Sequence, residues 1–277
     1  RVLKYDSTGN VQIQWGQAGF PDTDADTSFW EIVDVAADSG GNIWVADELA
    51  NRIVKLNGTG EKLLELGEVW QEGSDNAHFI DPQSVAFDAA GNVYVSDGAP
   101  WWNSEHGNHR VQVFQSDGTY LTTIGQTGTC GSGNNQFCGP RHIAIYGNEL
   151  YVTDANNGRL QILNIVNPAA PSYVATISGL NNPSGVAADA EYIYVADRWN
   201  HQVKIYGRTT RTLVATIGSE KGNRNDQFNE PTDVALDTAG NLYVADFVNV
   251  RVQQFRRSGS NWSFVRTYGV TGVPYET

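Results

Sequence analysis

Methionine is absent from all 277 residues, the first included. That absence is expected of a processed or excised stretch of a longer translation product. Basic charge is also scarce: 18 Lys and Arg stand against 31 Asp and Glu, a net charge of −13. Nucleic-acid phosphates need a basic footprint, so the balance argues against that class of partner. No apolar run reaches the roughly 18 residues of a membrane-spanning helix. Cysteine is limited to Cys130 and Cys138, in one Gly/Asn-rich loop. The two are too few for a zinc site without flanking histidines, and too far apart for a CxxC redox pair. The remaining reading is a disulfide, which would constrain that loop by about 2–3 kcal/mol. It implies an oxidising compartment: extracellular, cell surface or periplasmic.

No segment carries a helical period. What is present instead is aromatic content (8 Trp, 12 Tyr, 10 Phe) and a repeat. The unit pairs a GN turn and an apolar run ending in Asp with a second apolar run. It recurs as GNIWVADELANRIVKL (41–56), GNVYVSD with NHRVQVF (91–114), GNELYVTDANNGRLQIL (147–163), EYIYVADRWNHQVKIY (191–206) and GNLYVADFVNVRVQQF (240–255). The Asp falls at 47, 97, 154, 197 and 246, a period of 43 to 57 residues that suits a four-stranded propeller blade. Twofold alternation, β-branched and aromatic enrichment and DxxGN turns predict antiparallel hairpins. Ala36, Ala86, Ala144, Ala187 and Ala235 fill one column of the first strands, where small side chains let neighbouring sheets approach. The expected fold is all-β: one six-bladed β-propeller over 1–277. Full blades are expected at about 30–67, 79–125, 137–178, 183–218 and 228–269, and residues 1–16 supply an incomplete first blade. Upstream residues or another chain would complete that blade, so self-assembly through it is one expectation.

The unit P-x-x-V-A-x-D-x-x-G-N-x-Y-V-x-D-x-x-N-x-R-V-Q-x-F resembles the NHL repeat, a family of six-bladed propellers with diverse functions. Within it, residues 73–98 are similar to peptidyl-α-hydroxyglycine amidating lyase. That resemblance implies three zinc histidines, each directly after the Pro that opens a first strand. The matching positions here are Val33, Gln83, Arg141, Ser184 and Thr232. None is histidine, and His142 is one residue late, which turns a strand side chain to the other face. The zinc site does not carry over.

Antiparallel order sorts the loops. Second-to-third turns and sheet-to-sheet crossings share one face and hold most of the length variation, which makes that face the candidate binding surface. Within its 98–109 insertion, Trp101 and Trp102 with His106 form either a stacking platform or a cover for the neighbouring blade. At the channel mouth, Gln83, Arg141, Ser184 and Thr232 lie beside His142 and Asp233. They serve either anion binding and acid–base or metal chemistry, or the solvation of a water-filled channel. Asp22, Asp24 and Asp26 form a DxDxD run that is a candidate calcium loop or a solvated acidic loop. The five repeated Asp residues read as structural, paired with the Arg residues that follow them. The function expected is a secreted or cell-surface binding or assembly module for a protein, peptide or glycan. The alternatives are a metal-dependent lyase or hydrolase at the channel mouth, and a structural subunit of an extracellular assembly.

Overall fold

The computed structural model describes residues 1–5, 10–15, 29–99 and 105–269. The chain divides into two compact units, Arg1–Pro140 with Val166–Pro171, and Arg141–Ile165 with Ser172–Thr277.

The first unit opens with a two-stranded antiparallel sheet, β1 (Val2–Tyr5) and β2 (Val11–Trp15). Two four-stranded meanders follow. One is β3 (Ile32–Ala37), β4 (Ile43–Asp47), β5 (Arg52–Leu56) and β6 (Lys62–Gly67); the other is β7 (Pro82–Phe87), β8 (Val93–Asp97), β9 (Arg110–Phe114) and β10 (Tyr120–Gly125). The second unit holds three meanders. They are β11 (Pro140–Tyr146) to β14 (Ser172–Ser178) through β12 (Glu149–Asp154) and β13 (Arg159–Asn164), then β15 (Pro183–Ala188) to β18 (Leu213–Ile217) through β16 (Tyr192–Asp197) and β17 (Gln202–Gly207). The last is β19 (Pro231–Leu236), β20 (Leu242–Asp246), β21 (Arg251–Ser258) and β22 (Asn261–Tyr268). Among the described residues there are thus five four-stranded blades and one pair of strands, not six full blades. Two single turns of 3-10 helix, Ala155–Asn157 and Arg198–Asn200, are the described helical elements.

The repeat's residues explain why each blade forms. In the first-to-second turns, Asp38 Oδ1 accepts the N–H groups of Gly40 and Asn42, both at 2.9 Å, and Asp88 and Asp237 do the same in their turns. At the other end of the second strands sit Asp47, Asp97, Asp154, Asp197 and Asp246, all fully buried. Each holds a cation: Arg52 (3.2 Å), Arg110 (2.8 Å), Arg159 (2.6 Å), Lys204 (2.7 Å) and Arg251 (2.7 Å) respectively. The second carboxylate oxygen of Asp47, Asp97, Asp197 and Asp246 accepts a crossing N–H, from Glu31, Ile80, Asn181 and Asn229 respectively. The structural reading of this Asp column therefore matches the geometry. The Arg110 fork completes the clamp by donating to the carbonyls of Ser74, Asp75 and His78.

Three of the crossings also bury a Phe completely. Phe79, Phe137 and Phe228 are fully enclosed. Gly67 and Gly218, which end fourth strands at φ near +86°, lie where a Cβ would stand 2.9 Å from the ring of Phe79 or Phe228. Both the left-handed backbone and the close ring call for glycine.

The core lies between sheets. Trp44, Ala46 and Ile53 of one blade pack with Val85, Val93 and Phe114 of the next, and Ala36 lies on the same side as Trp44. Val85, Ile143, Val186 and Val234 are 1–3% exposed, but Val35, at the same place in β3, is 42% exposed. Its face looks toward the two-stranded sheet. There Trp15, with Val2, Ile13 and Ile32, packs against Phe29, Val45, Val54 and Leu56, and Val35 of β3 stays exposed.

Candidate functional sites at the first-strand ends and the turn edge

The first strands do not alternate evenly. β7, β15 and β19 begin at a Pro and β3 at Ile32, and these four carry a bulge, with register shifts at Ile32/Asp34, Pro82/Ser84, Pro183/Val186 and Pro231/Asp233. The skipped residues are Val33, Gln83, Ser184 with Gly185, and Thr232. A bulge re-aims side chains, so the strict in–out assignment expected for this column does not apply.

In the second unit His142 and Asp233 come together. His142 Nε2 is 3.5 Å from Asp233 Oδ1. The approach passes over Gly185, where a Cβ would lie 2.5 Å from both Cα and Oδ1 of Asp233. His142 Nδ1 accepts the Val186 N–H at 3.4 Å, so the neutral ring carries its proton on Nε2, facing the carboxylate. Thr153 fixes the strand: its hydroxyl accepts the His142 N–H (2.9 Å) and donates to Ser184 O (2.7 Å). Ser184 is buried, and Arg141 and Thr232 are half-buried. The arrangement makes His142 a hydrogen-bond donor or a paired cation, with no open basic nitrogen.

In the first unit Gln83 donates to Glu48 Oε1 at 2.6 Å. Asp34 accepts from the Ser84 hydroxyl (2.7 Å) and the Val85 N–H (3.0 Å) of the next blade. Asp81, immediately before the strand, is 4% exposed, and its Oδ2 has no hydrogen-bond partner among the described residues. Burial, then the nearby carboxylates of Glu48, Glu72 and Asp97, push its carboxyl up to about 7 against the pull of His106.

Turns and crossings share one end of each blade. The bonds Trp70 N–H to Ala50 O (3.1 Å), Trp199 N–H to Asn181 O (3.1 Å) and Val248 N–H to Asn229 O (3.1 Å) join them directly. A side chain often joins them too. Asn51 Oδ1 accepts the Asp81 N–H (3.0 Å), His109 Nδ1 that of Gly139 (3.0 Å), and His201 Nδ1 that of Glu230 (3.1 Å). The repeat's His is thus a backbone acceptor. The 98–109 insertion is closed at its base by the His109 N–H to Gly98 O bond (3.2 Å), and His106 pairs with Glu72 at 2.9 Å on the surface. Trp101 and Trp102 lie outside the described residues, as do Asp22, Asp24 and Asp26. The Cys130–Cys138 disulfide is formed.

This edge carries what the sequence reading missed. Trp30 and Trp70, 40% and 49% exposed, meet edge to face at 4.9 Å in the first unit. Trp199 (54%) and Phe247 (61%) stand out in the second, with the Arg198 guanidinium 5.9 Å from the Phe247 ring. No other Trp or Phe among the described residues is as exposed. Thr153 and Gly185 were also missed, although each departs from its column: Ala46, Ser96, Ala196 and Ala245 for Thr153, and Asp34, Ser84, His142 and Asp233 for Gly185.

These blades define a repeat protein of the propeller type. The chain carries NHL repeats, matched over residues 79–114, 180–206 and 228–255, and an LVIVD repeat over 140–178. It is similar to mouse peptidyl-glycine alpha-amidating monooxygenase (35% identity over 46% of this chain and 13% of that one). It is also similar to peptidyl-alpha-hydroxyglycine alpha-amidating lyase 1 of Drosophila melanogaster (24%, over 90% and 47%) and to human NHL repeat-containing protein 3 (30%, over 79% and 57%). The chain therefore spans between about an eighth and somewhat over half the length of these relatives. Among solved structures, the fold is shared with a streptogramin B lyase (TM-score 0.64, 14% identity, 97% of this chain and 76% of that one). It is shared too with a chain of the nidogen/laminin complex (TM-score 0.63, 19%, 86% and 79%).

Proposed function

We propose that this chain is a binding module of a six-bladed β-propeller, with β1 and β2 as the outer half of the first blade. It acts outside the cytoplasm and engages a protein, peptide or glycan through the edge built by its second-to-third turns and crossings. One observation carries this reading: Trp30 and Trp70 in the first unit, and Trp199 and Phe247 in the second, the most exposed Trp and Phe side chains described, each lie in a turn or crossing of their own blades. Large aromatic side chains left in water on a rigid frame are the usual anchors of an interface. The Cys130–Cys138 bond supports an oxidising compartment, and nidogen, seen with laminin, is a precedent for a partner-binding protein of this fold.

The test uses the full chain on arrays of purified secreted proteins and of glycans. Three double variants run beside it: Trp30→Ala with Trp70→Ala, Trp199→Ala with Phe247→Ala, and Trp101→Ala with Trp102→Ala. At least one pair is expected to weaken a bound partner tenfold or more while the urea midpoint moves little. Partners bound equally by all three, or no partner at all, would refute the reading. Calcium at Asp22, Asp24 and Asp26 remains part of the proposal. Added CaCl2 should raise the unfolding midpoint, and Asp24→Asn should abolish that rise.

A second reading, a lyase or hydrolase, is favoured by the His142–Asp233 approach across Gly185. Arg141, Ser184 and Thr232 would border its substrate. Turnover of a lactone or hydroxyglycine-peptide panel, lost in His142→Ala, would establish it in place of the first.

A further inference from the structure

The second-to-third turn of the β11–β14 blade departs from its neighbours. Where Asn51, His109 and His201 reach the next crossing, this blade has Gly158, at φ +61°. A Cβ there would stand 2.7 Å from the Leu180 carbonyl oxygen, so turn and crossing meet through backbone alone. Beside this contact a cavity of about 340 Å3 opens at the turn edge, against the crossing 180–182 and the next turn. Its size is at the lower end of the roughly 300–1,000 Å3 of ligand pockets.

Its lining has a definite chemistry. Trp199 forms one wall, and Asn156, Asn157, Asn181 and Asn182 supply four amides; no Asp, Glu, Lys or Arg lines it. The Trp199 backbone is fixed by its N–H bond to Asn181 O and by the left-handed cap at His201. Its ring meets no other aromatic ring among the described residues, and so presents a bare face. Asn157 is oriented by its bond to Asp154 (2.9 Å), and Asn181 by a long one to Asn200 (3.4 Å). Asn182 is 6% exposed, and its Oδ1, buried behind the cavity wall, has no hydrogen-bond partner among the described residues.

We propose that this pocket binds a neutral saccharide, a mono- or disaccharide unit at the end of a glycan. A pyranose has an apolar C–H face that stacks on an indole and a rim of hydroxyls that both donate and accept. Asparagine amides match that rim with one donor and one acceptor group each, and the lack of charge in the lining disfavours anionic sugars and phosphates. The proposal rests on the turn edge being the ligand-binding edge.

The test titrates the full chain with methyl glycosides of glucose, galactose and mannose and with maltose, cellobiose and lactose, read by tryptophan fluorescence and calorimetry. At least one neutral sugar should bind, in the millimolar range or tighter. Trp199→Ala should weaken it tenfold or more, and Asn156→Ala with Asn181→Ala at least threefold. Trp30→Ala with Trp70→Ala, in the other unit, should leave it unchanged. The proposal is overturned if none of these sugars binds, if Trp199→Ala binds as well as the parent, or if only a peptide or sialylated glycan occupies the site. Loss of the sugar result while Trp30 and Trp70 still govern a protein partner would sink this inference and leave the binding-module reading intact.

Discussion

Asp81→Asn should stabilise this protein at neutral pH and do progressively less as the solution is acidified. The carboxyl is buried, one oxygen lacks a partner, and Glu48, Glu72 and Asp97 surround it with like charge, so it titrates near 7 when folded. In the unfolded chain it titrates near 3.9. Between these values the unfolded state releases a proton that the native state keeps. The favourable contribution is therefore complete below about pH 4 and is lost as pH rises through 7. Three pH units at about 1.4 kcal/mol each give about 4 kcal/mol of lost stability by pH 7.5, and about 1 kcal/mol at pH 4.5. The Asn amide is neutral and tolerates the left-handed backbone at φ +53°. Its own unmet donor removes about 1 kcal/mol of the gain. Urea unfolding of both proteins at pH 4.5, 5.5, 6.5 and 7.5 reads the difference directly, because every other titrating group is common to the pair. The expected gain is about 3 kcal/mol at pH 7.5, falling close to zero at pH 4.5. A difference that does not change with pH, or a variant less stable at pH 7.5, would refute the argument. Glu48→Gln in the parent should recover a smaller part of the same gain, since it removes one of the three charges.

Gly185→Ala should cost about 1–3 kcal/mol in urea unfolding, the usual range for overpacking, because its Cβ would meet Asp233 at 2.5 Å. An unchanged midpoint would mean that the two strands separate easily. Replacing Cys130 and Cys138 together with Ser should cost about 2–3 kcal/mol, and a reducing agent should lower the midpoint of the parent to the same value; a smaller loss would mean the loop is held by its other bonds. Gly158→Ala should cost about 1–3 kcal/mol in urea unfolding, because its Cβ would meet the Leu180 carbonyl oxygen at 2.7 Å on a left-handed backbone; an unchanged midpoint would mean that the crossing moves aside freely.

Much of the fold was legible because a blade needs the same groups every time. The Asp at 47, 97, 154, 197 and 246 must accept crossing N–H groups and face a cation, and the DxxGN turn must be closed by its own Asp. Such duties recur in sequence and can be read from it. The disulfide was readable for a similar reason: two cysteines in one short loop leave few alternatives. The residues of the first-strand site, His142 and Asp233 beside Gln83, Arg141, Ser184 and Thr232, were readable, but their geometry was not. Alternation predicts a face only where the register is even, and the bulges at Gln83, Ser184 and Thr232 break it. The His142–Asp233 approach joins residues far apart in the chain, and it depends on a glycine in a third strand between them. The exposed aromatics were missed for the opposite reason. In a chain rich in buried rings such as Trp44, Phe79 and Phe228, nothing in the sequence marks Trp70 or Trp199 as solvent-facing.

The columns of the repeat also show where function can reside. A position with a backbone duty in every blade is not free to vary: loss of the Asp97 carboxylate would leave Arg110 buried without its partner, a change that costs about 3–5 kcal/mol. His109 and His201 hold one place in the repeat and each spends its Nδ1 on a backbone N–H, so the repeat's histidine belongs with the Asp in the frame. The columns that do vary are the bulged first-strand ends and the second-to-third turns. At the first, His142, Gly185 and Asp233 replace one another blade by blade; at the second, Gly158 stands where a side chain would otherwise bridge to the crossing. At Gly158 the turn keeps its contact through backbone alone, by the Leu180 N–H to Gly158 O bond (3.1 Å), and the space beside it is walled by an exposed Trp and four amides. An uncharged cavity beside an exposed ring makes the turn edge of that blade a better place to look for a ligand than any residue the repeat shares.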